Sequence, residues 1–168
     1  MKKTIMAEEA LLEELRDIKI LQYLSEEEKK SFVKICEIYE TTKNEKIIQE
    51  GEVSSNFFAV LKGIVTVMVT DKSGKDIYIC SIAENEIFGE SALFVNVKRT
   101  ANVVSLDQAM ILSVDRKLFV SFIRENPNGG LKILMLIIYS LLQKLRDAKI
   151  KGITQSRWND QLRRYLSW

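Results

Sequence analysis

The stretch Phe88-Gly89-Glu90-Ser91-Ala92-Leu93, with Arg99 and Thr100 following after a short loop, has the composition of an anion pocket. Gly89 lets the backbone come close to a ligand, and the amides of Ser91 and Ala92 open a short helical turn. Arg99 can fold back onto whatever those amides hold. Glu90 is the odd member, because a carboxylate beside a phosphate is repelled unless it faces another part of the ligand, such as a sugar hydroxyl that donates to it. Phosphate and sugar hydroxyl on one ligand point to a nucleotide.

Outward from that stretch, residues 47–114 are short β-branched and aromatic runs cut by Gly51, Gly63, Gly74 and Gly89. The clearest predicted strands are 57–61, 64–70, 77–82, 102–105 and 109–114, with Asp71, Lys72, Ser73 and Gly74 as a hairpin loop. Many short strands at even spacing indicate a sandwich or barrel. Residues 7–40 read as two helices: Leu11, Leu12, Leu15 and Ile18 recur at helical spacing, and Ser25 with Glu28 makes a capping-box pattern before Phe32, Val33, Ile35 and Cys36. On the far side, Asp115 is the predicted N-cap of a short helix through Phe119, Phe122 and Ile123 that ends before Pro127. A longer helix, 128–149, follows. Its Leu131, Leu134, Ile138, Leu141, Leu142 and Leu145 form a stripe wider than one face needs, so the helix is expected to lie on the strands with one side and on a second copy of itself with the other. An unusually apolar core helix in a monomer is the plainer alternative.

Composition removes whole classes of chemistry. The chain contains no histidine, which excludes imidazole-based triads and His-containing zinc sites. It also lacks a Gly-x-Ser-x-Gly elbow, a Walker-type phosphate loop and a Cys-x-x-Cys pair, so an enzyme is not expected and no metal or catalytic residue is assigned. With 25 basic and 23 acidic residues the formal charge is only +2, and no global field exists to hold nucleic acid or an anionic membrane. The two cysteines, Cys36 and Cys80, have no second pair around them, which implies reduced thiols and a cytoplasmic setting. The opening residues meet Glu8 and Glu9 before any apolar run of signal-peptide length, and the most apolar segment, 131–145, is broken by Lys132, Ser140, Gln143 and Lys144. Neither export nor a membrane span is expected.

The residues at this point resemble the cyclic nucleotide-binding domain shared by catabolite-activator-type regulators, protein kinase A regulatory subunits and cyclic-nucleotide-gated channels. The resemblance rests on Leu24-Ser25-Glu26-Glu27-Glu28, Gln49-Glu50-Gly51-Glu52, Phe58-Ala59-Val60-Leu61-Lys62-Gly63 and the stretch from Gly89 and Glu90 to Arg99 and Thr100. It implies an α+β fold: an antiparallel β-roll (jelly roll) with N-terminal helices and two or more C-terminal helices. One domain over 1–168 is then expected, with helices at 7–40, the roll at 45–114, a phosphate-binding cassette at 88–100, helices at 115–150 and a tail at 151–168. The ligand implied is cAMP or cGMP, with no further cofactor. Glu90 would accept from the ribose 2′-hydroxyl and Gly89 would allow that approach. Ser91 and Ala92 would offer amides to the phosphate, Arg99 would neutralise it, and Thr100 would add a hydroxyl that keeps cGMP open. Val67, Cys80 and Ile82 match positions that contact the base, and Cys80 and Ile82 share one strand face by alternation. Taken singly, Arg99 reads as a surface ion-pair partner, Glu90 as a carboxylate at a helix start, and Cys80 as a small core residue. Part of the base edge would be read from the long helix, within a stretch that includes Lys144, Arg146 and Asp147.

The tail departs from the family's transcription factors, since only 18 residues follow Ile150 and a DNA-binding domain is not expected there. From position 144 onward there are seven Lys or Arg against Asp147 and Asp160, a net of +5 (7 minus 2), but no groove-reading motif accompanies the charge. Trp158, Leu162, Tyr165, Leu166 and Trp168 suggest a last amphipathic helix that closes over the ligand, docks an effector protein or packs on the domain. The expectation is therefore a stand-alone cytoplasmic sensor of a cyclic nucleotide, a possible homodimer through the 128–149 helix, signalling through its C-terminal helices. The competing expectation is a ligand-free interaction or scaffold protein of the same fold, acting through the apolar helix and the tail.

Overall fold

The computed structural model describes residues 1–15, 19–95 and 98–150. Six helices and nine strands are formed there: β1 (Lys2–Thr4), α1 (Glu8–Glu14), α2 (Lys19–Gln22), α3 (Glu26–Val33), β2 (Cys36–Thr41), β3 (Lys46–Ile48), β4 (Asn56–Lys62), β5 (Val65–Thr70), β6 (Asp76–Ile82), β7 (Ile87–Phe88), α4 (Ser91–Phe94), β8 (Asn102–Ser105), β9 (Ala109–Asp115), α5 (Arg116–Glu125) and α6 (Pro127–Ile150). The strands make two antiparallel sheets, one in the order β1-β2-β9-β4-β7 and the other β3-β8-β5-β6. The α+β β-roll with helices at both ends is thus the observed architecture.

Strand β4 shows how the sequence sets the layers. Its run Phe57-Phe58-Ala59-Val60-Leu61 is buried throughout because both faces of its sheet are covered. Phe58 and Val60 face the second sheet with Phe88, Ile111, Val65 and Ile82, whereas Phe57, Ala59 and Leu61 face the helices with Leu112, Val114, Phe119 and Phe122. Two cores therefore lie on either side of one sheet, and β7 contributes Ile87 to one and Phe88 to the other.

The ends of the elements follow local chemistry. Ser25 Oγ accepts from the Glu28 amide while the Glu28 carboxylate accepts from the Ser25 amide, the capping box that the sequence announces for α3. Asp115 accepts from the amides of Lys117 and Leu118 at the start of α5. Between α5 and α6 the chain turns at Pro127, and Gly130 lets the helices touch: a Cβ there would sit 2.7 Å from Cγ1 and 3.0 Å from Cα of Ile123.

Two expectations are corrected. Residues 36–40 are not helical but belong to β2, and the N-terminal helical region is three short helices rather than two. The apolar spacing through Phe32, Val33, Ile35 and Cys36 reads as helix, yet beyond Cys36 the chain is captured by pairing with β9 on one side and β1 on the other. Pairing across about seventy positions overrides a local period. The roll accordingly begins before residue 45. Among the described residues no helix is long and apolar enough to cross a membrane. The expectations for Ile18 and for the tail at 151–168 fall outside the described residues.

Candidate functional site

β7 delivers the chain to Gly89, whose φ of +69° is the left-handed region that a side chain disfavours. A Cβ at this position would come within 2.9 Å of Arg99 Nη1, 3.2 Å of Ile48 Cδ1 and 3.3 Å of Phe58 Cδ2, so glycine is demanded by both backbone and space. The turn sets Glu90 at the N-cap of α4, and Ala92 is buried two residues further on. The Ala92 amide donates to the Gly89 carbonyl at 3.2 Å, while the Ser91 amide has no hydrogen-bond partner among the described residues.

Arg99 is a buried cation, only 6% exposed. Its Nε and Nη2 donate to Ser54 Oγ at 3.2 and 2.6 Å, Nη2 also reaches the Asn56 carbonyl, and Nη1 donates to the Gly89 carbonyl at 3.0 Å. The guanidinium lies 5.8 Å from the centroid of Phe58, which stacks on Phe88 at 5.2 Å. Backbone pairing fixes its base: the Arg99 amide donates to the Glu52 carbonyl, and the Gly51 amide to the Arg99 carbonyl. The glycine-containing loop at 50–52 thereby ties down the far end of the cassette.

Glu90 is equally enclosed at 8% exposure. Its Oε1 accepts from Lys144 Nζ of α6 at 2.8 Å, and the same ammonium donates to the Ile87 carbonyl at 2.5 Å. Glu90 Oε2 has no partner among the described residues, yet it is not sealed from solvent. Thr100 is exposed at the cassette's end. Val67 and Cys80 form a cross-strand pair, both partly buried, whereas Ile82 sits opposite Val65 within the core between the sheets. The structure thus gathers Gly89, Glu90, Ala92 and Arg99 around one turn. Ile82 packs as core.

A matching family model now adds to this geometry: that of the cyclic nucleotide-binding domain covers residues 40–126, more than half of the chain. The chain belongs to the cyclic nucleotide-binding domain family. It is 27% identical over 117 residues to the cAMP-activated global transcriptional regulator CRP of Pasteurella multocida, covering 69% of this chain and 54% of that protein. It is 32% identical over 107 residues to a cAMP-dependent protein kinase regulatory subunit of Debaryomyces hansenii, covering 62% of this chain and 22% of that protein. The chain therefore spans only about half or less of the length of these relatives. A solved cyclic nucleotide-binding domain from Methylobacillus flagellatus superposes with a TM-score of 0.75, over 87% of this chain and 82% of that one, at 20% identity. That likeness is one of fold.

For a cyclic nucleotide-binding domain, sequence reasoning missed three participants: Ser54 and Asn56, which hold Arg99, and Lys144 in its contact with Glu90. Ser54 carried no signal beyond a polar loop. Lys144 lay within the helix stretch expected to include a base-reading residue, and the structure sets it on the Glu90 carboxylate. Arg146 is exposed, and the side chain of Asp147 lies outside the described residues. A wide depression of about 750 Å³, lined by Met1, Glu40, Thr41, Lys62 and Gln108 among others, shares no residue with the cassette.

Proposed function

We propose that this chain is a regulatory module that binds a 3′,5′-cyclic nucleotide, cAMP or cGMP, at the turn joining β7 to α4, and that it signals by repositioning α6. The observation that carries the reading is Glu90: a carboxylate on a residue 92% removed from solvent that keeps one oxygen open to it. Such an atom suits a sugar hydroxyl. The Ser91 and Ala92 amides would meet the cyclic phosphate, with Arg99 behind them as the neutralising cation. Val67 and Cys80 would flank the base, and Thr100 leaves guanine open beside adenine. The names of the CRP and kinase relatives, cAMP-activated and cAMP-dependent, support the same ligand class. The reading assigns no covalent chemistry and no direct DNA or membrane contact, and output passes to an effector protein. Burial pushes the Cys36 thiol well above its ordinary value and leaves it inert, which suits a reducing, cytoplasmic setting.

The module would pair with a second copy through the exposed side of α6. Isothermal titration with cAMP and with cGMP tests the ligand, with one molecule bound per chain as the expected result. A silent titration with both, at high micromolar protein, would sink the cyclic nucleotide reading. It would favour a scaffold in which Arg99 is only a strut, a role its four hydrogen bonds to protein acceptors also fit.

A further inference from the structure

The pocket proposed above brings two anions together, the Glu90 carboxylate and a ligand phosphate, and Arg99 is committed to the phosphate side of the turn. The charge that answers Glu90 comes from elsewhere in the chain. Lys144 reaches in from α6, 54 positions away, and its ammonium is fixed at two points, 2.8 Å from Glu90 Oε1 and 2.5 Å from the Ile87 carbonyl. Its side chain is about one-third exposed and that of Glu90 about one-tenth, so the pair is only partly screened by water. Lys144 takes Oε1 alone. Oε2 is left without a protein partner and within reach of solvent.

We infer that Lys144 is a positioning residue for ligand recognition. It holds the Glu90 carboxylate oriented so that Oε2 accepts the ribose 2′-hydroxyl, and it keeps its contact with Glu90 when the ligand binds. This rests on the cyclic nucleotide reading and adds to it a residue on α6 that acts through Glu90. Because the lysine belongs to the helix, the ligand and the docked position of α6 stabilise each other reciprocally. Leu142 and Leu145, on either side of it in sequence, lie on the helix's exposed stripe, so a shift of Lys144 is a shift of that stripe.

The test compares the cyclic nucleotide that the wild-type chain binds more tightly, cAMP or cGMP, with its 2′-deoxy form. Titrations are run on the full chain and on Lys144→Met and Lys144→Arg. In the wild type, loss of the 2′-hydroxyl is expected to weaken binding at least tenfold. In Lys144→Met that discrimination should fall to about twofold, through weaker binding of the ribo ligand and little change for the deoxy ligand, and Lys144→Arg should restore most of it. Equal losses for both ligands would overturn the inference by showing that the lysine acts on the phosphate or on the fold. Tighter binding by Lys144→Met would overturn it by making the lysine a competitor for the site. If the methionine variant does not fold, Lys144→Gln carries the same comparison. A wild-type chain that binds neither cyclic nucleotide removes the cyclic nucleotide reading itself, and this inference with it, whereas binding without lysine-dependent discrimination removes the inference alone.

Discussion

Arg99 shows how one residue can serve fold and site together. Its guanidinium spans Ser54, the Asn56 carbonyl and the Gly89 carbonyl, acceptors that only a planar fork can reach at once. Arg99→Lys keeps the charge but offers three donors from a single point, and stranding a buried carbonyl costs about 1–3 kcal/mol. Urea unfolding should therefore show both Arg99→Lys and Arg99→Ala less stable than wild type by roughly that amount. Affinity for cyclic nucleotide should separate them: Arg99→Ala is expected to lose about 3–5 kcal/mol, as when one partner of a buried ion pair is removed, and the lysine variant less. An alanine variant equal to wild type in both measurements would show that Arg99 is neither strut nor phosphate ligand. At this scale the legible residues were the local ones. Gly89, Glu90 and Arg99 lie within eleven positions of one another. Ser54, Asn56 and Lys144, at 45, 43 and 54 positions from their partners, carry no sequence pattern that would pair them.

Among the elements, α6 is pinned at two places. Lys132, near its start, donates to the Glu28 carboxylate at 2.8 Å, and Lys144 reaches Glu90 twelve residues later, about 18 Å along the axis at 1.5 Å per residue. The first pin passes through the capping box of α3, so one carboxylate closes a helix start and anchors another helix. The hydrogen bond from Lys132, reinforced by that from the Ser25 amide, holds Glu28 below its ordinary value of 4.5. A folded-state value lower than the unfolded one contributes stability above the unfolded value. That contribution is lost as pH falls through the lowered one. Chemical unfolding of the wild type between about pH 3 and pH 7 should thus show a loss on the acid side that is shallower in Glu28→Gln, which gives up the ion pair at every pH. Parallel curves for the two proteins would show that the Glu28–Lys132 contact adds nothing to stability. The capping box and the Asp115 cap were readable because their partners lie within three residues. Strand β2 was not, because its partners are β1 and β9, far along the chain, and its own start continues a helical spacing.

Across the whole molecule, the question is what covers the outer side of α6. Sequence periodicity could say that the helix is apolar on too many sides, but not which residues go inward. The structure sends Ile133 and Ile137 into the core, with Leu134, Leu136 and Leu141 partly buried beside them. It leaves Leu131, Met135, Ile138, Leu142 and Leu145 exposed. Those five are spaced four, three, four and three residues apart, the seam of a left-handed two-stranded coil rather than the broader stripe of a helix lying on a sheet. A second copy presents the same seam, and a two-fold axis lets each stripe meet itself. Burying such a side chain completely is worth roughly 1.5–3 kcal/mol, and about half of that from a half-exposed start. Ten side chains, five from each copy, can then offset an association cost of about 4–15 kcal/mol. Sedimentation equilibrium at tens of micromolar should accordingly return twice the 19.4 kDa of one chain. Ile138→Glu, at a position 45% exposed and outside the core, should return the single-chain mass with the fold unchanged by circular dichroism. A wild-type chain that sediments at 19.4 kDa would remove the paired arrangement and leave the stripe to an effector protein.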